Sequence, residues 1–118
     1  MGNSEVKDKK IFIFEIITDR NIRGFERKIK KPVTKPERIW AYVRELTEKE
    51  KFAGKAAGVE QSALFKINYH AAIKAGQYIE LKGAYYRIVS IDKFELYKRD
   101  LTIRALECNL PEVKDDKQ

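Results

Sequence analysis

The residues that could do covalent chemistry are few, with Cys108 the only cysteine and His70 the only histidine. A thiol nucleophile needs a base, and His70 is the one imidazole that could serve. Cys108 stands in an alternating apolar run, where a free cysteine is usually a small buried hydrophobe. One soft ligand of each kind is too few for a metal site, and a lone cysteine excludes an internal disulfide. We therefore expect neither a catalytic pair nor a bound metal.

Acid–base and phosphate-binding motifs are equally scarce. Glu48 with Glu50, or Glu15 with Asp19, could in principle form a carboxylate pair. Lysines flank most of these acids, however, which is typical of solvated surface. The six glycines are scattered rather than spaced before a helix, so the chain has neither a P-loop nor a dinucleotide fingerprint. We expect a protein that is not an enzyme and binds no cofactor.

The net charge of +7 is concentrated in one segment. Eight basic residues lie between positions 20 and 38 against two acidic ones, a net charge of +6. A positive block suggests a polyanionic neighbour or a protein partner, and the alternative is a solvated loop that keeps the chain soluble. The candidates for such contact are Arg23, Arg27, Lys28, Lys30, Lys31 and Lys35.

Breakers interrupt this basic segment at Asn21, Gly24, Pro32 and Pro36. We therefore expect a long basic loop over residues 19–37, of the length that is often functional or disordered. A hairpin excursion is the alternative, because the segment also contains a few apolar residues, namely Ile22, Phe25 and Ile29.

Alternating apolar and polar residues elsewhere predict six short strands, at residues 10–18, 38–46, 60–70, 77–81, 85–91 and 101–106. No strand–helix–strand rhythm appears, so we expect an all-β, mainly antiparallel fold, a small six-stranded barrel. We expect one domain over residues 1–118, with flexible ends at 1–9 and 111–118. The longest apolar run, at 11–17, is too short to span a bilayer, so no membrane contact is expected.

One short helix or mobile loop should follow the second of these strands. Thr47 and Glu50 have the spacing of a capping box, in which each side chain bonds the other residue's backbone N–H. The alanine-rich stretch at 51–58 suffices for about two helical turns, and Gly58 can end them.

From Arg38 onward the chain resembles the head–tail joining proteins of tailed phages, also called head-closure or stopper proteins. The resemblance rests on the strand at 39–46, on the Thr-x-x-Glu segment followed two residues later by Phe52, and on Phe-Lys-Ile-Asn-Tyr-His at 65–70. It continues through 73–79, through Gly-x-x-Tyr-x-Ile-x-x-Ile-Asp at 83–92, and through 99–107. It covers residues 38–108 and a first strand at 10–18, whereas the basic segment has no counterpart that the family explains.

The resemblance implies a β-barrel subunit that forms a ring below the portal and its adaptor, to which the tail docks after DNA packaging. Its partners would be portal–adaptor connector proteins, tail proteins and packaged double-stranded DNA. It would be made in the host cytoplasm and reside in the virion. The segment 47–58 would face the channel and help retain DNA, with lysines meeting phosphates without reading bases. The residues so implied are Thr47, Glu48, Lys49, Glu50, Lys51, Phe52 and Lys55.

Two alternatives stay open. One is a nucleic-acid-binding barrel of the oligonucleotide-binding type, whose possible stacking groups are Trp40, Tyr42, Phe52, Tyr85 and Tyr86. Most of these aromatics lie in alternating strands, where core packing explains them, and we expect Trp40 in particular to be a packing residue. The other is a tail-completion or terminator protein, which shares the assembly context.

Overall fold

The computed structural model describes residues 6–20, 26–58, 60–92 and 100–110. These residues form seven strands and one helix, in the order β1 (Lys9–Arg20), β2 (Glu26–Pro32), β3 (Arg38–Glu45), α1 (Glu48–Ala56), β4 (Ala63–Asn68), β5 (Tyr78–Leu81), β6 (Ala84–Asp92) and β7 (Asp100–Cys108). In the described ranges, no helix has the length and apolar character needed to cross a lipid bilayer.

The strands form one antiparallel sheet in the order β2-β1-β3-β4-β7-β6-β5, and a further pairing of β1 with β5 closes it. The closing register places Ile13 opposite Ile79 and Phe14 opposite Tyr78. Six strands therefore make a closed barrel, with β2 as an extra strand on β1, which confirms the predicted six-stranded antiparallel barrel. Closure pairs the Ile- and Phe-rich strands on both sides and so removes edges that would invite aggregation.

The barrel interior is filled by the inward-pointing residues of each strand. Its buried members are Ile11, Ile13, Ala41, Ala63, Phe65, Ile67, Ile73, Ile79, Ile88, Leu101, Ile103 and Ala105. Alternate residues of β4 and of β7 appear in this list, as the apolar alternation of these two strands requires. Phe65 is the largest of these side chains, and its ring meets the edge of Tyr86 at a centroid distance of 5.2 Å. Burying each such side chain contributes roughly 1.5–3 kcal/mol.

The predicted basic loop over residues 19–37 is wrong for much of its length, and the alternative of a hairpin excursion is confirmed. β1 continues to Arg20, and β2 pairs with it antiparallel from Arg20↔Glu26 to Phe14↔Pro32. This register sets opposite charges across from one another and Ile17 against Ile29, and such cross-strand pairs stabilise a sheet. Residues 33–37 do connect β2 to β3 without regular structure. Because β2 adds a strand, the helix follows the third strand rather than the second.

The predicted flexible ends fall largely outside the described residues, since 1–5 and 111–118 are not among them. Lys9, placed in the flexible N-terminal stretch, is already the first residue of β1.

β1 also determines where the two sequence-predicted sites lie. Beyond Phe14 its only described partner is β2, so residues 15–20 and 26–31 form a two-stranded extension, the basic ribbon. β1 runs antiparallel to β3, with Lys9 opposite Ala41 and Phe12 opposite Arg38. β1 therefore continues past Phe12 towards the ribbon, whereas β3 continues the other way towards α1. The ribbon and the helix lie at opposite ends of the barrel.

Candidate functional surfaces

Helix α1 begins at the predicted capping box. Thr47, the N-cap residue, accepts a hydrogen bond at Oγ1 from the Glu50 N–H (3.2 Å), and its own N–H donates to Glu50 Oε1 (2.8 Å). These two bonds satisfy backbone donors that the first helical turn leaves unpaired. The helix ends at Ala56, after which Gly58 adopts a φ of +84° and its N–H donates to the Lys55 carbonyl. The predicted cap and the predicted glycine stop are both confirmed.

A bidentate ion pair connects this helix to the barrel. Arg44 on β3 donates from Nη1 and Nη2 to the two carboxylate oxygens of Glu50, at 2.8 and 3.1 Å. The Arg44 hydrogen bonds, together with the Thr47 N–H, lower the pKa of Glu50 from 4.5 to about 2. The same contact raises the pKa of Arg44. Glu50 is thus engaged with the barrel side of the helix, while Gly54 is the one buried residue among the nine of α1.

The remaining predicted helix residues point outward. Phe52 is 72% exposed, and Lys51 lies 3.8 Å from Glu48 in an i,i+3 ion pair. Lys49 and Lys55 are exposed and form no ion pair with a described residue. A groove of about 450 Å³ lies between this helix, the residues that precede β4, and β7. It is lined by Glu48, Lys51, Phe52, Lys55, Glu60, Gln61, Ser62 and Leu106. The helix therefore presents cations and one aromatic ring to whatever lies outside the barrel.

The basic ribbon offers fewer free cations than the sequence indicates, because several of its basic residues are paired with acidic ones. Arg20 pairs with Glu26 at 3.0 Å, and Arg27 with Asp19 at 3.5 Å. Lys30 is half-buried, with its ammonium 5.3 Å from the Phe14 ring centroid and 4.0 Å from a carboxylate oxygen of Glu80.

The cations of the segment that stay available are Lys28, Lys31 and Lys35, which are exposed and form no ion pair with a described residue. Arg23 lies outside the described residues. Of the six predicted basic candidates, Arg27 and Lys30 are therefore engaged by neighbouring side chains, and three lysines are exposed and unpaired among the described residues.

Sequence reasoning missed an aromatic strip on the outer face of β1. Phe14 stacks on Phe12 (5.1 Å) and on Tyr78 (5.7 Å), and Tyr85 meets it edge-on at 6.3 Å. Two cations cover the strip, Lys30 over Phe14 and Tyr85 and Arg38 over Phe12. A third, Lys10, lies over Trp40 on the neighbouring strand β3. The signal was present in Ile-Phe-Ile-Phe at 11–14, because apolar residues on both faces of a strand indicate that both faces are covered.

The prediction that Trp40 is a packing residue of the core is wrong. Its side chain is 53% exposed on the outer face of β3, beside a concavity of about 300 Å³ that Lys10, Pro36, Arg38 and His70 help to line. The interior positions of β3 are taken by its odd-numbered residues, of which Ala41 is fully buried. Trp40 alternates with them and therefore faces outward.

Cys108 and His70 are not brought together. β7 pairs with β4 so that Asp100, at its start, lies opposite Asn68, near His70, whereas Cys108 is the last residue of β7. Burial raises the pKa of the Cys108 thiol, which lowers its thiolate fraction at neutral pH. Among the described residues, no three side chains of the histidine, cysteine, aspartate and glutamate types are grouped as metal ligands.

Comparison with known proteins identifies both a family and a fold. The model of a family described as phage head completion protein matches residues 10–107. The solution structure of protein SF1141 from Shigella flexneri 2a superposes with a TM-score of 0.68 at 20% identity, over 90% of this chain and 96% of that one. A chain from the virion of a native gene transfer agent particle gives a TM-score of 0.48 at 15% identity, over 86% and 94%. The Shigella likeness shows a shared fold. No curated protein matches the sequence.

Proposed function

Because the chain belongs to the phage head completion protein family, we propose that it is a structural subunit of the connector that closes the phage head and joins it to the tail. In this role several copies form a ring, with portal–adaptor proteins on one side and tail proteins on the other. The chain carries out no catalysis, is made in the host cytoplasm and resides in the virion. The observation that carries the proposal is the extent of the family match, which runs from β1 into β7 and so includes every strand of the barrel.

Helix α1 is the element we assign to the DNA channel. Its exposed lysines, Lys49 and Lys55, form no ion pair with a described residue, so their charge is available to phosphates. Contacts of this kind are independent of base sequence, as retention of a packaged genome requires. The helix is attached to the barrel chiefly through the Arg44–Glu50 pair, which leaves it able to adjust on assembly.

The basic ribbon is assigned to a protein neighbour rather than to DNA. It lies at the end of the barrel opposite α1, and both of its arginines are already paired with its own acids. A connector subunit needs two distinct contact surfaces along the head–tail axis, and the two ends of this barrel provide them.

Matched charge reversals test these assignments in the phage that encodes the chain. The helix variant carries K49E, K51E and K55E. The ribbon variant carries K28E and K31E in the ribbon and K35E in the connection that follows it, so both variants change the charge equally. We expect the helix variant to yield tailed particles whose packaged DNA becomes nuclease-sensitive, and the ribbon variant to retain its DNA. Equal DNA retention in both would refute the role of α1. Normal particles after deletion of the whole gene would refute the connector function.

Nucleic-acid binding by the isolated barrel is a second candidate, favoured by the exposed Lys28, Lys31 and Lys35. Few of the predicted stacking groups are available to bases, because Tyr42, Tyr85 and Tyr86 are half-buried. The other two, Trp40 and Phe52, are exposed but lie on different elements. A fluorescence titration of the isolated chain with single-stranded DNA at low salt tests this candidate. Nucleic-acid binding predicts an affinity that falls as the salt concentration rises, and the absence of binding at low salt would exclude it. The tail-completion alternative is disfavoured by the family match, which is to head completion proteins.

A further inference from the structure

We propose that the concavity beside Trp40, called here the Trp40 groove, docks a segment of a partner protein that presents an apolar side chain flanked by carboxylates. That the partner is a connector protein rests on the proposed function, whereas the chemistry of the docking segment rests on the groove alone. Trp40 is 53% exposed, and tryptophan and arginine are the residues that most often dominate protein–protein binding energy. The groove contains one of each, together with Pro36 and His70.

The indole is held in place before any partner arrives. Lys10 lies opposite Trp40 in the β1–β3 register, and its Nζ is 4.8 Å from the ring centroid. Both residues belong to strands of the closed barrel, so the backbone beneath the ring is fixed. A preorganised anchor loses little conformational entropy on binding, which favours affinity.

The charge of the groove specifies its occupant. Lys10 and Arg38 both line it, neither forms an ion pair with a described residue, and no acidic side chain of the described ranges lines it. Arg38 is held over the Phe12 ring at 5.6 Å, which fixes its guanidinium at the rim. Two fixed cations around an apolar concavity are complementary to two carboxylates around an apolar side chain.

Nucleic acid and a second copy of the chain fit this groove less well. Single strands bind through successive exposed rings, whereas Trp40 is the one exposed ring here and Tyr69 and His70 are half-buried. The bases of a duplex are already stacked. A second copy carries the same net charge of +7, which disfavours it at this basic groove relative to an acidic partner, whatever contacts join the copies elsewhere in the ring. An acidic protein segment is the occupant that both the shape and the charge favour.

The groove carries its own spectroscopic reporter, because Trp40 is the only tryptophan of the chain. The probe is the synthetic peptide acetyl-Glu-Asp-Leu-Phe-Asp-Glu-amide, titrated into the full-length chain. We expect a saturable shift of tryptophan emission to shorter wavelength, as the indole leaves water. R38E and K10E should each raise the apparent Kd at least tenfold. K74E, a matched charge reversal at an exposed lysine outside the groove, should leave the Kd unchanged.

Several outcomes would overturn the proposal. One is the absence of an emission shift with the acidic peptide. Another is a shift of the same size with a peptide that has lysine at each acidic position. A third is a rise in Kd for K74E as large as that for R38E and K10E. A larger shift with decathymidylate would assign the groove to nucleic acid, and a concentration-dependent shift of the protein alone would assign it to a second copy. The titration needs no phage particle, so a negative result removes the groove assignment and leaves the connector function to the particle assays.

Discussion

Replacing Thr47 with alanine should loosen helix α1 without loosening the barrel. The substitution removes the Oγ1 that accepts the Glu50 N–H at 3.2 Å, while the reciprocal bond from the Thr47 N–H to Glu50 remains. Loss of a threonine N-cap costs about 0.5–2 kcal/mol. Because the Glu50 amide is at the surface, water can replace part of the lost bond, so we expect about 1 kcal/mol, roughly a fivefold change in the local opening equilibrium.

Amide hydrogen exchange measures this opening directly. The Lys51 and Ala57 amides, which donate to Thr47 and Ala53 carbonyls, should exchange about fivefold faster, by the same free-energy conversion. The urea midpoint of global unfolding should not move, because Gly54 is the one residue that α1 buries. Thr47→Ser keeps the hydroxyl and serves as the matched control. Unchanged exchange in Thr47→Ala, or a fall in global stability as large as the local one, would refute the reasoning.

Three further predictions concern the ion pair, the core and the ribbon. Since the pKa of Glu50 is lowered from 4.5 to about 2, its carboxylate stabilises helix α1 fully above pH 4.5, and this stabilisation is lost as the pH falls towards 2. The α1 amides of E50Q should therefore exchange faster than those of wild type above pH 4.5, and the difference should disappear as the pH approaches 2. Phe65→Ala should reduce the free energy of unfolding by about 3–5 kcal/mol in urea denaturation, whereas Phe52→Ala, at a ring that is 72% exposed, should leave it nearly unchanged. Lys30→Met keeps the apolar stem but loses the contacts of the ammonium with the Phe14 and Tyr85 rings and its 3.3 Å hydrogen bond to the Tyr85 hydroxyl. It should lower the free energy of unfolding by about 1 kcal/mol, whereas the control Lys28→Met should leave it unchanged.

The features that could be predicted from the sequence are those set by neighbouring residues. Alternation of apolar and polar residues predicted the six barrel strands, and the spacing of Thr47 and Glu50 predicted the helix cap. Each depends on residues within a few positions of one another, where periodicity and hydrogen-bond reach are fixed by the backbone.

The features that were missed depend on residues that are distant in sequence. β2 has too much charge to be recognised as a strand alone, and its stability becomes evident only when Arg27 is set opposite Asp19 and Lys30 is placed over Phe14. The sequence placed Trp40 in a strand but did not show what surrounds its ring, because its partner Lys10 belongs to another strand. Arg44 was likewise not linked to Glu50, since that contact joins a strand to the following helix.

The most direct test of the account is to locate the chain in the assembled particle by electron cryomicroscopy. We expect a ring of these barrels at the one vertex where the head meets the tail, with α1 directed at the DNA channel and the basic ribbon at the opposite end of each subunit. Barrels found elsewhere in the particle, or purified infectious particles that lack the chain, would contradict it.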